Sequence, residues 1–297
     1  MKKIAVIGAG TMGNGIAHVF SVHGFPVNLV DLDPAQLEKA INIIDKNLDR
    51  QLQKGTLTAA LKQAALRRIK TFSDLKTGVE DADLIVEAVS ENAGTKLNLF
   101  RELDKFSPPA AILASNTSSI SISRIAAATA RPSQVIGMHF MNPVPVMKLV
   151  EVINGYATSA AVTHAVTEMA RILEKVPCVV NDYPGFIANR ILMPMINEAI
   201  ITLQEGVADV EAIDTIMKLG MAHPMGPLQL ADFIGLDICL SILNVLHEGF
   251  GNPKYAASPL LVNMVNAGFL GVKTGEGFYE YPSGSKSLAV SSRFKKL

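Results

Sequence analysis

The chain has 297 residues, enough for one large domain or two ordinary ones that each bury a core. Hydrophobic residues make up 49% and charged residues 18%, a globular composition that excludes a disordered chain. Its 27 basic and 27 acidic side chains cancel, which removes any bulk electrostatic reason to expect nucleic acid or an acidic membrane surface as a partner.

Residues 4–7 are a short apolar run that passes through Gly8-Ala9-Gly10-Thr11-Met12-Gly13, a GxGxxG turn, into a predicted helix. Gly8 permits the tight turn, Gly10 lets a pyrophosphate approach the backbone, and Gly13 lets the helix pack close on the strand. The first helical turn, from Thr11 and Met12 onward, offers its unpaired N–H groups to phosphates. A second strand, residues 27–30, ends in Asp31, where an acid binds the ribose hydroxyls of NAD. Asp31 also repels a 2′-phosphate, and Leu32-Asp33-Pro34 adds no arginine to receive one, so NAD rather than NADP is the expected cofactor. Glycines used only for turns and packing are the plainer alternative, and that alternative leaves Asp31 unexplained.

Residues 34–54 have helical spacing, with Pro34 suited to the first turn and Gly55 to the stop. Residues 69–72 are a short strand candidate and residues 83–89 a stronger one, left at Ser90-Glu91-Asn92. A helix over 95–106 leads through Pro108-Pro109 to strands at 111–114, 135–138 and 147–153. This alternation predicts a parallel sheet covered on both faces. The pattern changes at Asp182-Tyr183-Pro184-Gly185, beyond which 186–204, 210–219, 227–248 and 259–267 read as helices. The expected architecture is α/β: a Rossmann-type doubly wound domain over 1–183, an all-helical substrate and dimerisation domain over 184–282, and a loose Ser/Lys-rich tail over 283–297.

Met1-Lys2-Lys3 before an apolar run has the outline of a secretory signal, but Gly8-Ala9-Gly10 interrupts it, and no stretch of about 18 apolar residues follows to span a bilayer. Cys178 and Cys239 lie far apart without zinc or disulfide spacing. The expectation is a cytoplasmic protein with no metal and no membrane partner.

Ligands of open α/β sheets bind beyond the carboxyl ends of the strands. Three polar groups fall there: Glu91, the cluster Ser115-Asn116-Thr117-Ser118-Ser119, and His139 in Met138-His139-Phe140-Met141-Asn142-Pro143. Glu151 sits inside the apolar run Leu149-Val150-Glu151-Val152-Ile153 and needs a partner there, since an unpaired buried carboxylate is costly. His139 is the natural one: a carboxylate on one ring nitrogen fixes the tautomer and makes the other a better base. A histidine satisfied by a backbone carbonyl is the alternative.

These blocks resemble the L-3-hydroxyacyl-CoA dehydrogenase family, and within it the short stand-alone bacterial members that act on 3-hydroxybutyryl-CoA. The resemblance runs on through Asp182-Tyr183-Pro184-Gly185-Phe186-Ile187-Ala188-Asn189-Arg190, Gly226-Pro227-Leu228 with Asp232, and Lys273-Thr274-Gly275-Glu276-Gly277-Phe278-Tyr279. It implies NAD-linked oxidation of an (S)-3-hydroxyacyl-CoA and the reverse, with His139 as acid/base, Glu151 orienting it, and Ser118 and Asn189 hydrogen-bonding the acyl-CoA substrate. It implies that Asp31 holds the adenosine ribose, that Glu91 and Lys96 lie near the nicotinamide, and that the molecule is a homodimer through the helical domain. Helix capping by Ser118 and a surface amide at Asn189 are the alternatives, and Gly94-Thr95 replaces better helix formers beside Lys96. Lys54 either meets the coenzyme A phosphates or is a solvated helix end. A dehydrogenase of free hydroxy or sugar acids, of the L-gulonate type, shares many of these motifs. The hydroxyisobutyrate and phosphogluconate enzymes resemble one another in using a lysine that residues 185–190 lack. A non-enzymatic NAD-binding module predicts a damaged acid/base pair.

Overall fold

The computed structural model describes residues 1–282 and 288–295, and the chain divides into two compact units, Met1–Tyr183 and Pro184–Leu297. The first unit begins β1 (Ile4–Ile7), α1 (Thr11–Val22), β2 (Val27–Val30), α2 (Pro34–Gln53), α3 (Ala59–Arg68), β3 (Ile69–Phe72), α4 (Leu75–Val79) and β4 (Leu84–Glu87). It continues with α5 (Ala93–Phe106), β5 (Ile112–Ser115), α6 (Ile122–Ala126), β6 (Val135–Phe140), β7 (Leu149–Asn154), α7 (Ala160–Ile172) and β8 (Val176–Asn181).

The eight strands form one sheet in the order β3-β2-β1-β4-β5-β6-β7-β8. Residues of β1, β2, β4, β5 and β6 are buried throughout, as their mostly apolar composition demands of strands covered on both faces. The edge strands β3 and β8 carry exposed positions and no fully buried one. All neighbours pair parallel except β6 and β7, which are antiparallel. The parallel sheet read from sequence is corrected at that point. Residues 141–148, which join the two strands, are fewer than the dozen or so a parallel crossover needs. β8, α3, α4 and α7 are elements beyond those the sequence pattern marked out.

Side chains start most helices: Asp33 accepts the Ala35 N–H, Asn92 the Thr95 N–H and Ser159 the Val162 N–H. Asn92 explains why α5 begins at Ala93 despite Gly94-Thr95. The first turn of α1 differs, since Gly10 stands at its cap with no side chain to satisfy it.

The second unit holds α8 (Ala188–Gln204), α9 (Val210–Gly220), α10 (Pro227–Ile234), α11 (Leu236–Phe250) and α12 (Pro259–Asn266) around a core that includes Met193, Ile196, Ile200, Leu228, Leu236, Leu243, Leu246 and Phe278. The single helix expected over 227–248 is two, bent by 96° at Gly235, whose φ of 102° ends α10. Two buried carboxylates tie the unit together. Asp214 accepts the Leu228 and Gln229 N–H groups at 2.9 Å each, capping α10, and the Tyr279 hydroxyl at 2.8 Å. Asp232 accepts the Phe278 and Tyr279 N–H groups and the Tyr281 hydroxyl at 2.9–3.0 Å. Gly226 and Gly277 leave room for them: a Cβ would stand 2.1 Å from Asp214 Cγ and 1.9 Å from Asp232 Oδ1 respectively.

Among the described residues the unit is mainly helical, with a short ribbon in which β9 (Tyr279–Glu280) pairs antiparallel with β10 (Ala289–Val290). The loose tail expected over 283–297 is corrected for residues 288–295, while 283–287 and 296–297 lie outside the described residues. Ser291 is fully buried and bonds Glu276, and the Phe294 ring lies 5.5 Å from that of Phe278. A core aromatic and a buried hydroxyl dock what composition alone marks as a solvated end.

Candidate active site

The strand order reverses at the β1/β4 boundary, where chains diverge and leave a crevice at the carboxyl ends. Gly8 follows β1 with φ 97°, and a Cβ there would stand 2.7 Å from the Ala88 carbonyl oxygen beyond β4, so only glycine lets the two turns meet. A Cβ at Gly13 would lie 1.7 Å from the Gly8 carbonyl oxygen, which brings α1 hard against its own strand. Around a Cβ at Gly10 nothing lies within 4 Å. Thr11 is exposed and Met12 half-buried at the helix start.

A cavity of about 600 Å³ opens here, lined by Gly8, Gly10, Asp31, Leu32, Gln36, Val89, Ser90 and Asn98 among others. Asp31 Oδ2 accepts the Ala9 N–H at 2.7 Å and Oδ1 the Asp33 N–H at 3.0 Å, which fixes the carboxylate at the rim. An uncapped helix start, open space over Gly10 and a fixed acid at the end of β2 fit a dinucleotide with a free ribose 2′-hydroxyl.

Glu91 organises the next loop. Its Oε1 accepts the Thr117 and Ser119 hydroxyls at 2.6 and 2.8 Å, the Ser118 and Ser119 N–H groups at 2.9 and 3.0 Å, and the Ser118 hydroxyl at 3.3 Å. Burial pushes its pKa up, but the Lys96 ammonium and these donors outweigh it and hold the carboxyl below its ordinary value. Lys96 Nζ lies 2.5 Å from Glu87 Oε1 and 3.3 Å from Glu91 Oε2. At 1% exposure the ammonium is turned inward rather than toward open solvent, so its charge reaches the crevice through Glu91. Glu87, fully buried at the end of β4, also accepts the Val89 N–H and the Ser115 hydroxyl, joining β4, α5 and β5. Sequence reading missed Glu87, although an acid closing the apolar run Leu84-Ile85-Val86 carries the same signal as Glu151.

Ser118 does not cap α6, which Ser121 caps through the Arg124 N–H. Asn116 Oδ1 accepts the Phe140 N–H at 2.8 Å, tying the serine loop to β6 one residue beyond His139. His139 lies inside β6, not after it, and is paired in register with Glu151 of β7. His139 Nδ1 and Glu151 Oε2 are 2.8 Å apart, with 9% and 3% of each residue exposed. The antiparallel turn thus brings together the two residues that the sequence singled out.

Asn189 is half-buried in the first turn of α8, in the second unit. Lys54 is exposed at the C-terminal cap of α2. Lys273 pairs with Asp237. Among the described residues there is no group of three side chains able to hold a metal ion, and no single helix is long and apolar enough to cross a membrane.

Residues 3–183 match the family model of the 3-hydroxyacyl-CoA dehydrogenase NAD binding domain, and residues 185–281 that of the 3-hydroxyacyl-CoA dehydrogenase C-terminal domain. The chain is 56% identical to a probable 3-hydroxybutyryl-CoA dehydrogenase of Deinococcus radiodurans, over 94% of this chain and 100% of that one. It is 54% identical to a 3-hydroxybutyryl-CoA dehydrogenase of Bradyrhizobium diazoefficiens, over 95% and 96%. Among solved structures, the (S)-3-hydroxybutyryl-CoA dehydrogenase of Ralstonia eutropha superposes with a TM-score of 0.92 at 46% identity, covering 95% of this chain and 100% of that one.

Proposed function

The chain belongs to the 3-hydroxyacyl-CoA dehydrogenase family, and from that premise we propose that it interconverts (S)-3-hydroxybutyryl-CoA and acetoacetyl-CoA with NAD as cofactor. The observation that carries this is the buried His139–Glu151 pair at 2.8 Å. An ionised Glu151 requires Nδ1 of His139 to donate, which leaves the lone pair on Nε2. Nε2 takes the proton of the substrate 3-hydroxyl in oxidation and returns it in reduction, and Glu151 stabilises the imidazolium in between. NAD, when bound, supplies the hydride chemistry. Asp31 holds its adenosine ribose, the N–H groups of the first turn of α1 its pyrophosphate, and Glu91, fixed by Lys96, the nicotinamide end. Ser118 and Asn189 hydrogen-bond the substrate near the reacting oxygen and thioester, and Lys54 meets the coenzyme A phosphates.

The preferred acyl group is C4, in line with the relatives' names. The working form is a cytoplasmic homodimer joined through the second unit, and the apolar side chains that its helices expose, Ile191, Ile216, Leu219, Phe233 and Ile238, support this reading. Following NADH absorbance with acetoacetyl-CoA, free acetoacetate and a sugar-acid panel tests the reading. Turnover of the thioester alone is expected. His139→Gln should lower kcat by roughly 100- to 10,000-fold with NADH affinity unchanged, and retention of more than about a tenth of the rate removes His139 from the mechanism.

A further inference from the structure

Residues 141–148, which join the strands that carry His139 and Glu151, have an anchored side and an open side. Val144 is 2% exposed and packs on α1 so closely that a Cβ at Gly15 would stand 2.9 Å from its own Cβ. Beyond it the Val146 and Met147 N–H groups both donate to the Pro143 carbonyl at 3.0 Å, which curls the backbone and leaves both side chains exposed. A lysine from elsewhere holds the curl. Lys175 Nζ donates to the carbonyls of Val144 at 2.6 Å and Met147 at 2.8 Å.

Lys175 is 8% exposed, and burial pushes its ammonium pKa below the ordinary value. A buried ammonium is costly unless its donors are used, and an apolar side chain of similar length would avoid that cost. Its backbone is fixed on both sides: its own N–H donates to the Ala170 carbonyl at the end of α7, and the Val176 N–H donates to the Lys148 carbonyl at 2.8 Å. The ammonium is therefore held at a set height beneath the loop. Both carbonyls that it takes belong to the short segment following His139.

We propose that Lys175 is a positioning residue for the reaction: by pinning the Val144 and Met147 carbonyls it holds Val146 and Met147 as an apolar wall for the acyl end of the substrate beside His139. This rests on the acyl-CoA reading above. The loop's apolar tips and its short tether to β6 supply the wall, and Lys175 supplies its rigidity.

The test compares wild type with Lys175→Met in the full chain. Hydrogen exchange of the peptide spanning 141–149 should speed up in the variant, because the Val146 and Met147 amides lose the fixed curl. For acetoacetyl-CoA, kcat/KM should fall about 10- to 100-fold, mainly through KM, while the Kd for NADH stays within about two-fold. Unchanged exchange overturns the hold on the loop. Faster exchange with an unchanged KM, or a drop in melting temperature with normal kinetics per folded molecule, overturns the positioning role. If Lys175→Met does not fold, Lys175→Gln is judged by the same measurements, and failure of both to fold overturns the proposal because the ammonium then serves the whole unit. A wild-type protein inactive on acetoacetyl-CoA would count against the functional reading alone, since the exchange experiment still decides whether Lys175 holds the loop.

Discussion

Gly10 and Gly13, three residues apart in one motif, should fail in opposite ways when replaced. At Gly13 an alanine Cβ would stand 1.7 Å from the Gly8 carbonyl oxygen, a backbone atom that cannot rotate away. Relief requires α1 to retreat from β1 by more than an ångström, opening the contacts of Ile16, Ala17 and Phe20, all fully buried. Overpacking ordinarily costs about 1–3 kcal/mol, and with backbone as the obstacle Gly13→Ala should cost about 3 kcal/mol or more. At Gly10 the backbone, φ −67° and ψ −167°, is one any residue adopts, and a Cβ meets nothing within 4 Å. Gly10→Ala should therefore leave stability within about 0.5 kcal/mol of wild type. Its methyl group, however, occupies the space over the uncapped first turn, and NADH affinity should fall at least about 10-fold, or 1.4 kcal/mol. Urea unfolding followed by circular dichroism and titration of NADH fluorescence separate the two effects. A Gly10→Ala protein that binds NADH as wild type does, or a Gly13→Ala protein of wild-type stability, would refute the reasoning from space.

Asp31→Ser should raise the NADPH to NADH ratio of kcat/KM at least about 10-fold by removing the charge that repels a 2′-phosphate; an unchanged ratio counts against Asp31 as the ribose ligand. Asp232 is held up at about 6 by burial, with the Asp214 charge adding to it. A raised carboxyl binds more protons folded than unfolded, so its contribution to stability is full below about pH 4 and falls as pH rises towards 6 and beyond. The stability of wild type minus that of Asp232→Asn should shrink across that window in urea melts at several pH values, and a flat or growing difference contradicts the assignment. Glu174 has φ 55°, where a side chain is strained, so Glu174→Gly should stabilise by up to about 1 kcal/mol, and a lower urea midpoint would speak against it.

The crevice beyond β1 and the His139–Glu151 contact were legible because each leaves a contradiction in the sequence that a particular neighbour resolves. Glycines in GxGxxG spacing before an acid have one economical use, and Glu151 in an apolar strand demands a cation. Lys96 and Lys175 were less legible, since their burial depends on carbonyls and carboxylates brought by other elements. Helix α3 offered little signal because only Ala65 of its residues is buried, so no apolar stripe marks it. β8 is an edge strand with Pro177 in it, and a proline inside a run argues against reading it as a strand. The break at Gly235 was hidden by apolar residues on both sides of it, and the docking of Ser291 and Phe294 by the polar composition around them.

The antiparallel turn between β6 and β7 also bears on the order in which the molecule assembles. His139 and Glu151 meet across a short closed loop, so the entropic cost of bringing them together is small, and hairpins close in microseconds. The dinucleotide crevice has no such shortcut: Gly8, Asp31 and Ala88 come from β1, β2 and β4, and the sheet must close across long intervening segments before they meet. The His139–Glu151 contact is therefore a local property of this chain and the crevice a global one. As the first unit loosens, the ability to hold NAD should disappear while the imidazole and its carboxylate are still in contact.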